Sequence, residues 1–150
     1  MTPHVRPATD EDLPAVLGLY AQPGLDNGRE LDLETARRIH AEFKRYPAYR
    51  LFVACEGSPN GQVVGSFALL VMHNLAHGGT PSAIVEDVVV APERQGQGVG
   101  RVMMTHAMDV ARQAGCYKLA LSSNAKRQDA HAFYESLGFS RHGYSFAIEV

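Results

Sequence analysis

Three glycines at alternate positions, Gly96, Gly98 and Gly100, stand between a β-branched run ending at Val90 and an apolar helical stripe starting at Val99. Without Cβ atoms, such positions let backbone N–H groups close on a ligand. The turn opens a helix whose first four N–H groups have no partner within the helix. That combination suits an anion, phosphate or pyrophosphate above all. A P-loop would need Gly-x-x-x-x-Gly-Lys-Ser/Thr, and counted from Gly96 the second glycine falls on Arg101. A dinucleotide fingerprint would need its third glycine at the same arginine, and no run of βαβ units follows. What stands in the sequence is Gln-x-x-Gly-x-Gly, Gln95 to Gly100. No metal site is read: His73 and His77 lie in a loop with no third ligand nearby, and Cys55 and Cys116 lack zinc spacing.

The elements that must hold this turn follow from hydrophobic period. Val5-Arg6-Pro7 reads as a short edge strand, since proline tolerates edges. Thr9 and Asp12 would cap a helix carrying Leu13, Val16, Leu17 and Tyr20. Residues 22–28 are loop chemistry, and 33–46 read as a second helix with Ile39, Phe43 and Tyr46 on one stripe, stopped by Pro47. Residues 49–56 and 62–72 form a hairpin around the turn at 57–61. A loop at 73–81 leads to the nearly continuous apolar strand 82–90, read as central. The chain then alternates: helix 98–114 capped by Gly115, strand 117–121, helix 126–137 ended by Gly138, and strands at 139–140 and 144–150. The sum is one α/β domain over residues 1–150, in the α+β sense. Its sheet is mixed but mainly antiparallel, with helices packed on it.

The strand with Val-x-Pro (Val90 to Pro92), the Gln95–Gly100 turn and Phe133-Tyr-Glu-Ser-Leu-Gly-Phe139 together resemble the GNAT superfamily of acyl-CoA-dependent N-acyltransferases. The order of elements is similar over nearly the whole chain, and the specific motifs lie within 84–140. IVEDVVVAPERQGQGVGR and GCYKL look like the glucosamine-6-phosphate N-acetyltransferases. LSSNAKRQDAHAFYESLGF with YSFAIEV looks like the aminoalkylphosphonate N-acetyltransferases.

The resemblance implies acetyl-CoA in a cleft where strands 82–90 and 117–121 splay apart. Val88, Val89 and Val90 would offer backbone groups to the pantetheine arm. Gln95, Gly96, Gln97, Gly98, Val99, Gly100 and Arg101 would hold the pyrophosphate. Asn124 and Arg127 would be further cofactor contacts. The family pattern favours Asn near position 127, where this chain has Arg, so Arg127 reads equally as a solvated helix charge.

The implied reaction is attack of an amine on a thioester. An alkyl ammonium titrates near about 10.4 and must lose a proton first. Glu86 would be the general base, directly or through water. Asp87 would point to the opposite face of a regular strand, a distinction that a bulge, common in the family here, would weaken. Tyr134 resembles the family's general acid. A thiol near about 8.5 is the stronger acid than a phenol near about 10. Tyr134 therefore either has a lowered pKa or mainly hydrogen-bonds the developing thiolate. His131 would support the site or simply pack, and Met103, Met104 and Met108 read as core or helix-flank residues.

The acceptor would be a small-molecule primary amine. In the family its pocket is built by the first two helices and the loop near 73–81, where Arg29, Arg37, Arg38 and His77 are candidates for an anionic group. Two other readings stay open: acetylation of a protein or peptide amine, and a non-catalytic acyl-CoA sensor.

Composition excludes other classes. The chain has 150 residues, 45% hydrophobic and 20% charged, ordinary globular values for one domain. The net charge of −2 argues against a nucleic-acid coat. Residues 94–127 nevertheless hold six cations (Arg94, Arg101, Arg112, Lys118, Lys126, Arg127) against Asp109, or +5, around the phosphate-type turn. No apolar run reaches transmembrane length and no secretory leader is read. Cys55 and Cys116 are expected as buried thiols in a reducing cytoplasm. By analogy with the family, the closing YSFAIEV would serve a homodimer.

Overall fold

The computed structural model describes residues 2–150 and divides the chain into two compact units, Met1–Ala120 and Leu121–Val150. The first unit holds a five-stranded sheet in sequence order: β1 (His4–Pro7), β2 (Tyr49–Cys55), β3 (Val63–Met72), β4 (Ser82–Val90) and β5 (Leu119–Ala120). The first three ladders are antiparallel and β4–β5 is parallel, so the sheet is mixed and mainly antiparallel, an α/β fold.

On one face pack α1 (Leu13–Tyr20) and α2 (Leu33–Phe43). Leu13, Val16, Ala36, Leu51, Val53, Cys55 and Ala68 form the core there, with Tyr20 and Tyr49 against its rim. On the other face lies α3 (Val99–Gln113), whose Val99, Met103, Met104, Ala107 and Ala111 are buried. Phe52 and Phe67 stack at 5.0 Å, and His106 of α3 meets Phe52 edge-on. A Cβ on Gly65 would lie 2.9 Å from Met103 Sδ, so glycine lets α3 settle on β3.

Thr9 and Asp12 form a capping box, but around the 3-10 turn Asp10–Asp12 that leads into α1, which has no side-chain cap of its own. The Asp12 carboxylate accepts the Thr9 N–H at 2.7 Å and both Arg6 guanidinium nitrogens at 2.7 and 2.9 Å. The Asp32 carboxylate caps α2 through the Thr35 N–H at 3.0 Å.

Four expectations change. Helix α2 stops at Phe43, not Tyr46; it buries Ala36, with Leu33, His40 and Phe43 half-buried on the same stripe, while Ile39 and Tyr46 are exposed. His40 turns inward because Nδ1 lies 2.9 Å from the Asp10 carboxylate, so a polar residue holds a core-facing place. Strand β5 has two residues, not five. Cys55 is buried but Cys116, past the end of α3, is only half-buried.

The second unit contains α4 (Gln128–Ser136), ended by Gly138 at φ 98°. Neither 139–140 nor 144–150 forms a strand. A strand needs a ladder partner as well as alternation. Tyr144, Phe146, Ile148 and Val150 alternate as expected, yet all four are exposed.

Candidate active site

The first unit gathers Glu86, Val88–Val90 and Gln95–Arg101 into one strand–turn–helix run. The ladder between β4 and β5 reaches only Ala83↔Leu119 and Ile84↔Ala120. Beyond Ile84, no strand of the first unit continues that ladder along the β5-facing edge of β4. Open N–H and C=O groups there can pair with an extended ligand arm as with another strand. The Val90 carbonyl is already engaged, by Gln22 Nε2 at 3.0 Å and more weakly by Gln95 Nε2 at 3.4 Å. Gln95 thus folds back on the strand.

After Val90, the Ala91 N–H donates to the Val64 carbonyl at 2.8 Å and pins the turn to β3. A 3-10 turn over Pro92–Arg94 follows, with Arg94 held by Glu56 at 2.9 Å and the Glu93 carbonyl held by Gln97 Nε2 at 3.0 Å. Gly96 and Gly98 then take φ values of 74° and 90°. Those conformations favour glycine. Beyond the adjoining residues, no atom of the described residues lies within 4 Å of where either Cβ would sit, so the space outside the turn is open. Gly98 is the N-cap of α3 and has no side chain, and no side-chain cap bonds the first turn. The opening N–H groups of a fifteen-residue helix are left for a ligand. Arg101 is exposed one turn further on. A pyrophosphate fits this turn; the open space, the uncapped helix and the cation agree.

Upstream, β4 carries a bulge. Its register with β3 runs Ala68↔Glu86 but Ser66↔Val89, so Phe67 faces two residues, Asp87 and Val88. Asp87 takes up the extra residue at φ 54°. The strand is not regular here, so the bulge that weakens the distinction between Glu86 and Asp87 is present. Both carboxylates act on the Tyr49 phenol, Asp87 more strongly than Glu86, and Asp87 also acts on Tyr20. Tyr20 and Tyr49 both belong to the α1/α2 face. Burial pushes both phenols up, so both stay protonated at neutral pH. Burial, then the nearby Asp26 carboxylate, hold the Asp87 carboxyl above the usual range. Glu86 and Asp87 are both solvent-exposed in part, leaving room for a small molecule.

The second unit gathers Asn124, Arg127 and Tyr134. The Asn124 carbonyl accepts the Arg127 N–H at 3.0 Å and lies 2.8 Å from His131 Nε2. Asn124 Oδ1 accepts the Lys126 N–H at 2.9 Å. His131 thus ties the turn to α4, and the Arg127 side chain is exposed. The Tyr134 ring packs against Phe133 and Phe139, with centroids 5.2 and 5.9 Å away. Burial raises the Tyr134 phenol, and the Arg127 charge pulls weakly the other way.

The His77 ring lies 4.5 Å from that of Tyr117. A cleft of about 520 Å³ beside Asp10, His40 and Lys44 includes none of the site residues above.

The profile of the Acetyltransferase (GNAT) family matches residues 15–139. The chain belongs to the GNAT acetyltransferase family. A glucosamine 6-phosphate N-acetyltransferase of Trypanosoma brucei brucei is 35% identical over 110 residues, 73% of this chain and 72% of the relative. An aminoalkylphosphonate N-acetyltransferase of Salmonella typhimurium is 34% identical over 142 residues, 95% and 88% of the two chains. Among solved structures, a chain from Agrobacterium tumefaciens str. C58 assigned as an acetyltransferase superposes with TM-score 0.88 at 34% identity, covering 98% and 99%. GNAT acetyltransferases use acetyl-CoA.

One residue of this acetyltransferase escaped sequence reasoning. Gln22 sits in a loop of turn-forming residues with nothing to mark its 3.0 Å bond to Val90. The bulge at Asp87 lies inside an unbroken strand pattern with no proline or glycine to signal it, so only the family resemblance pointed to it.

Proposed function

We propose that this acetyltransferase moves the acetyl group of acetyl-CoA to the primary amine of a small molecule that also carries an anionic group. The observation that carries the reading is the β4–turn–α3 run: an open strand edge, two left-handed glycines and an uncapped helix N-terminus in succession. The two relatives above are named for a phosphonate-bearing and a phosphate-bearing amine, which supports the anionic acceptor.

In this reading Val88 and Val89 pair with the pantetheine arm, and Gln95 to Arg101 hold the pyrophosphate, with Gln97 and Val99 contributing backbone groups. Asn124 and Arg127 add contacts from the turn before α4. Bound acetyl-CoA supplies an acyl thioester. Glu86 takes the proton from the acceptor ammonium, directly or through water. Tyr134, its phenol raised by burial, keeps its proton at neutral pH and donates a hydrogen bond to the sulfur as negative charge develops there.

Residues 1–150 are taken as one catalytic domain, because the family match spans both compact units. We also place the enzyme in the cytoplasm, where its two free thiols would persist. A homodimer through 144–150 is supported by the exposed Tyr144, Phe146, Ile148 and Val150. Light scattering of the 1–143 truncation against the full chain tests it.

The test of function is incubation with acetyl-CoA and a panel of aminoalkylphosphonates, amino sugar phosphates, polyamines and peptides, with products identified by mass spectrometry. N-acetylation of a small anionic amine is expected. Acetylation confined to peptides, or binding of acetyl-CoA with no product from any amine, overturns the reading.

A further inference from the structure

We propose that Gln22 is a positioning residue for the acceptor: by bonding the Val90 carbonyl it holds the loop after α1 beside the stretch of β4 that carries Glu86, and so sets affinity for the amine. The proposal rests on the small-amine reading above.

The loop keeps its own shape. The Leu25 and Asn27 N–H groups both donate to the Gln22 carbonyl at 3.2 Å, the Asp26 N–H to the Tyr20 carbonyl at 3.0 Å and the Gly28 N–H to the Ala21 carbonyl at 2.6 Å. Asn27 Oδ1 accepts the Gly24 N–H at 2.9 Å. Gly24, Asn27 and Gly28 take φ values of 90°, 53° and 86°. Glycine and asparagine enter that left-handed region more readily than most residues. A segment bonded so fully within itself can shift as one piece.

Its place against the sheet depends on much less. Residues 23–30 are exposed, so little apolar burial anchors them. Among the described residues, the one hydrogen bond from this loop to a strand runs from Gln22 Nε2 to the Val90 carbonyl, at 3.0 Å and partly buried. The far end of that bond is already fixed. Val90 pairs with Gly65 in the ladder, and the next N–H, of Ala91, donates to the Val64 carbonyl at 2.8 Å. The bond therefore places the loop and not the strand.

The Asp26 carboxylate marks where the loop reaches. It acts on the Asp87 carboxyl and on the Tyr20 phenol. Asp87 adjoins Glu86, so the loop stands beside the position the acceptor amine must take. With the loop in place, an incoming amine meets a formed wall. With the loop adrift, affinity falls by the fraction of molecules in which that wall is present. The chemical step then starts from the same bound arrangement, so turnover is spared.

Steady-state kinetics with the best amine of the panel test this, with far-UV circular dichroism as the folding control. Gln22→Met keeps the length of the side chain and removes the donor. Gln22→Lys keeps a donor on a stem of similar reach. Loss of one partly buried hydrogen bond predicts roughly a two- to tenfold rise in KM for the amine in Gln22→Met. Its kcat should stay within about twofold, and its acetyl-CoA affinity, read by calorimetry, should not change. Gln22→Lys should recover most of the lost affinity. Arg6→Ala breaks the pair with Asp12 at the opposite end of α1. It should lower stability and leave the amine KM unmoved, which separates placement of the loop from stability in general. An unchanged amine KM in Gln22→Met, a loss in kcat alone, or an equal rise in KM in Gln22→Lys or Arg6→Ala overturns the proposal while leaving the function standing. A wild-type enzyme that acetylates no amine overturns both.

Discussion

Gln22 Nε2 donates to the Val90 carbonyl at 3.0 Å, joining the loop after α1 to the last residue of β4 across 68 positions of sequence. The loop that approaches the two carboxylates is thereby tied to the strand end that opens the phosphate turn. Removing one partly buried hydrogen bond of this kind costs about 1 kcal/mol. Gln22→Ala should lower the free energy of urea unfolding by about that amount. Amide exchange should quicken within 22–28, while the β2–β3 ladder keeps its protection.

Gly98 stands at φ 90° with open space where a Cβ would be. Substitution by alanine therefore clashes with no protein atom but forces a left-handed conformation, at about 1–2 kcal/mol. The larger effect is expected on the ligand, because the methyl group enters the space a pyrophosphate would use. Calorimetry should show acetyl-CoA affinity falling by roughly tenfold or more in Gly98→Ala, with the thermal unfolding temperature reduced only modestly.

Asp12 is almost wholly buried and takes two guanidinium bonds from Arg6. The hydrogen bonds from Arg6, set against the opposing effect of burial, hold its carboxyl below the usual range. A depressed folded-state pKa contributes stability above the unfolded carboxylate value, and that stability is lost as pH falls through the folded value. Wild-type stability should therefore decline below about pH 4. Asp12→Asn should be less stable at neutral pH and show a flatter acid limb in chemical denaturation. Breaking the pair from the other side, Arg6→Ala should cost about 2 kcal/mol at pH 7.

Tyr134 offers one hydroxyl to the chemistry and a ring to the packing against Phe133 and Phe139. Tyr134→Phe removes only the first. Turnover should fall by roughly ten- to a thousandfold while acetyl-CoA affinity holds nearly constant. Unchanged turnover would remove Tyr134 from the reaction.

Local chemistry explains which parts of the molecule were readable in advance. β4 was bounded correctly at Ser82 and Val90, because loop residues stop it on both sides. The Gly96–Gly98 turn was legible because positive φ leaves few residues to choose from. The end of α2 was misplaced because Ile39 and Tyr46 fit a helical period, but the Asp10–His40 contact turned a different stripe inward. The tail misled for a related reason: alternation at Tyr144, Phe146, Ile148 and Val150 states which face would be apolar, not what would pair with it. Asp87 is the most consequential case. One residue of register decides its face, and a β-branched run tolerates either register.

The most direct measurement is the rate of thiol release from acetyl-CoA, taken with and without an aminoalkylphosphonate or amino sugar phosphate. The expected result is release that depends on the amine, saturates with it, and matches the acetylated product mole for mole. Acetyl-CoA that binds but releases thiol no faster with any amine present, or that fails to bind at all, would contradict it.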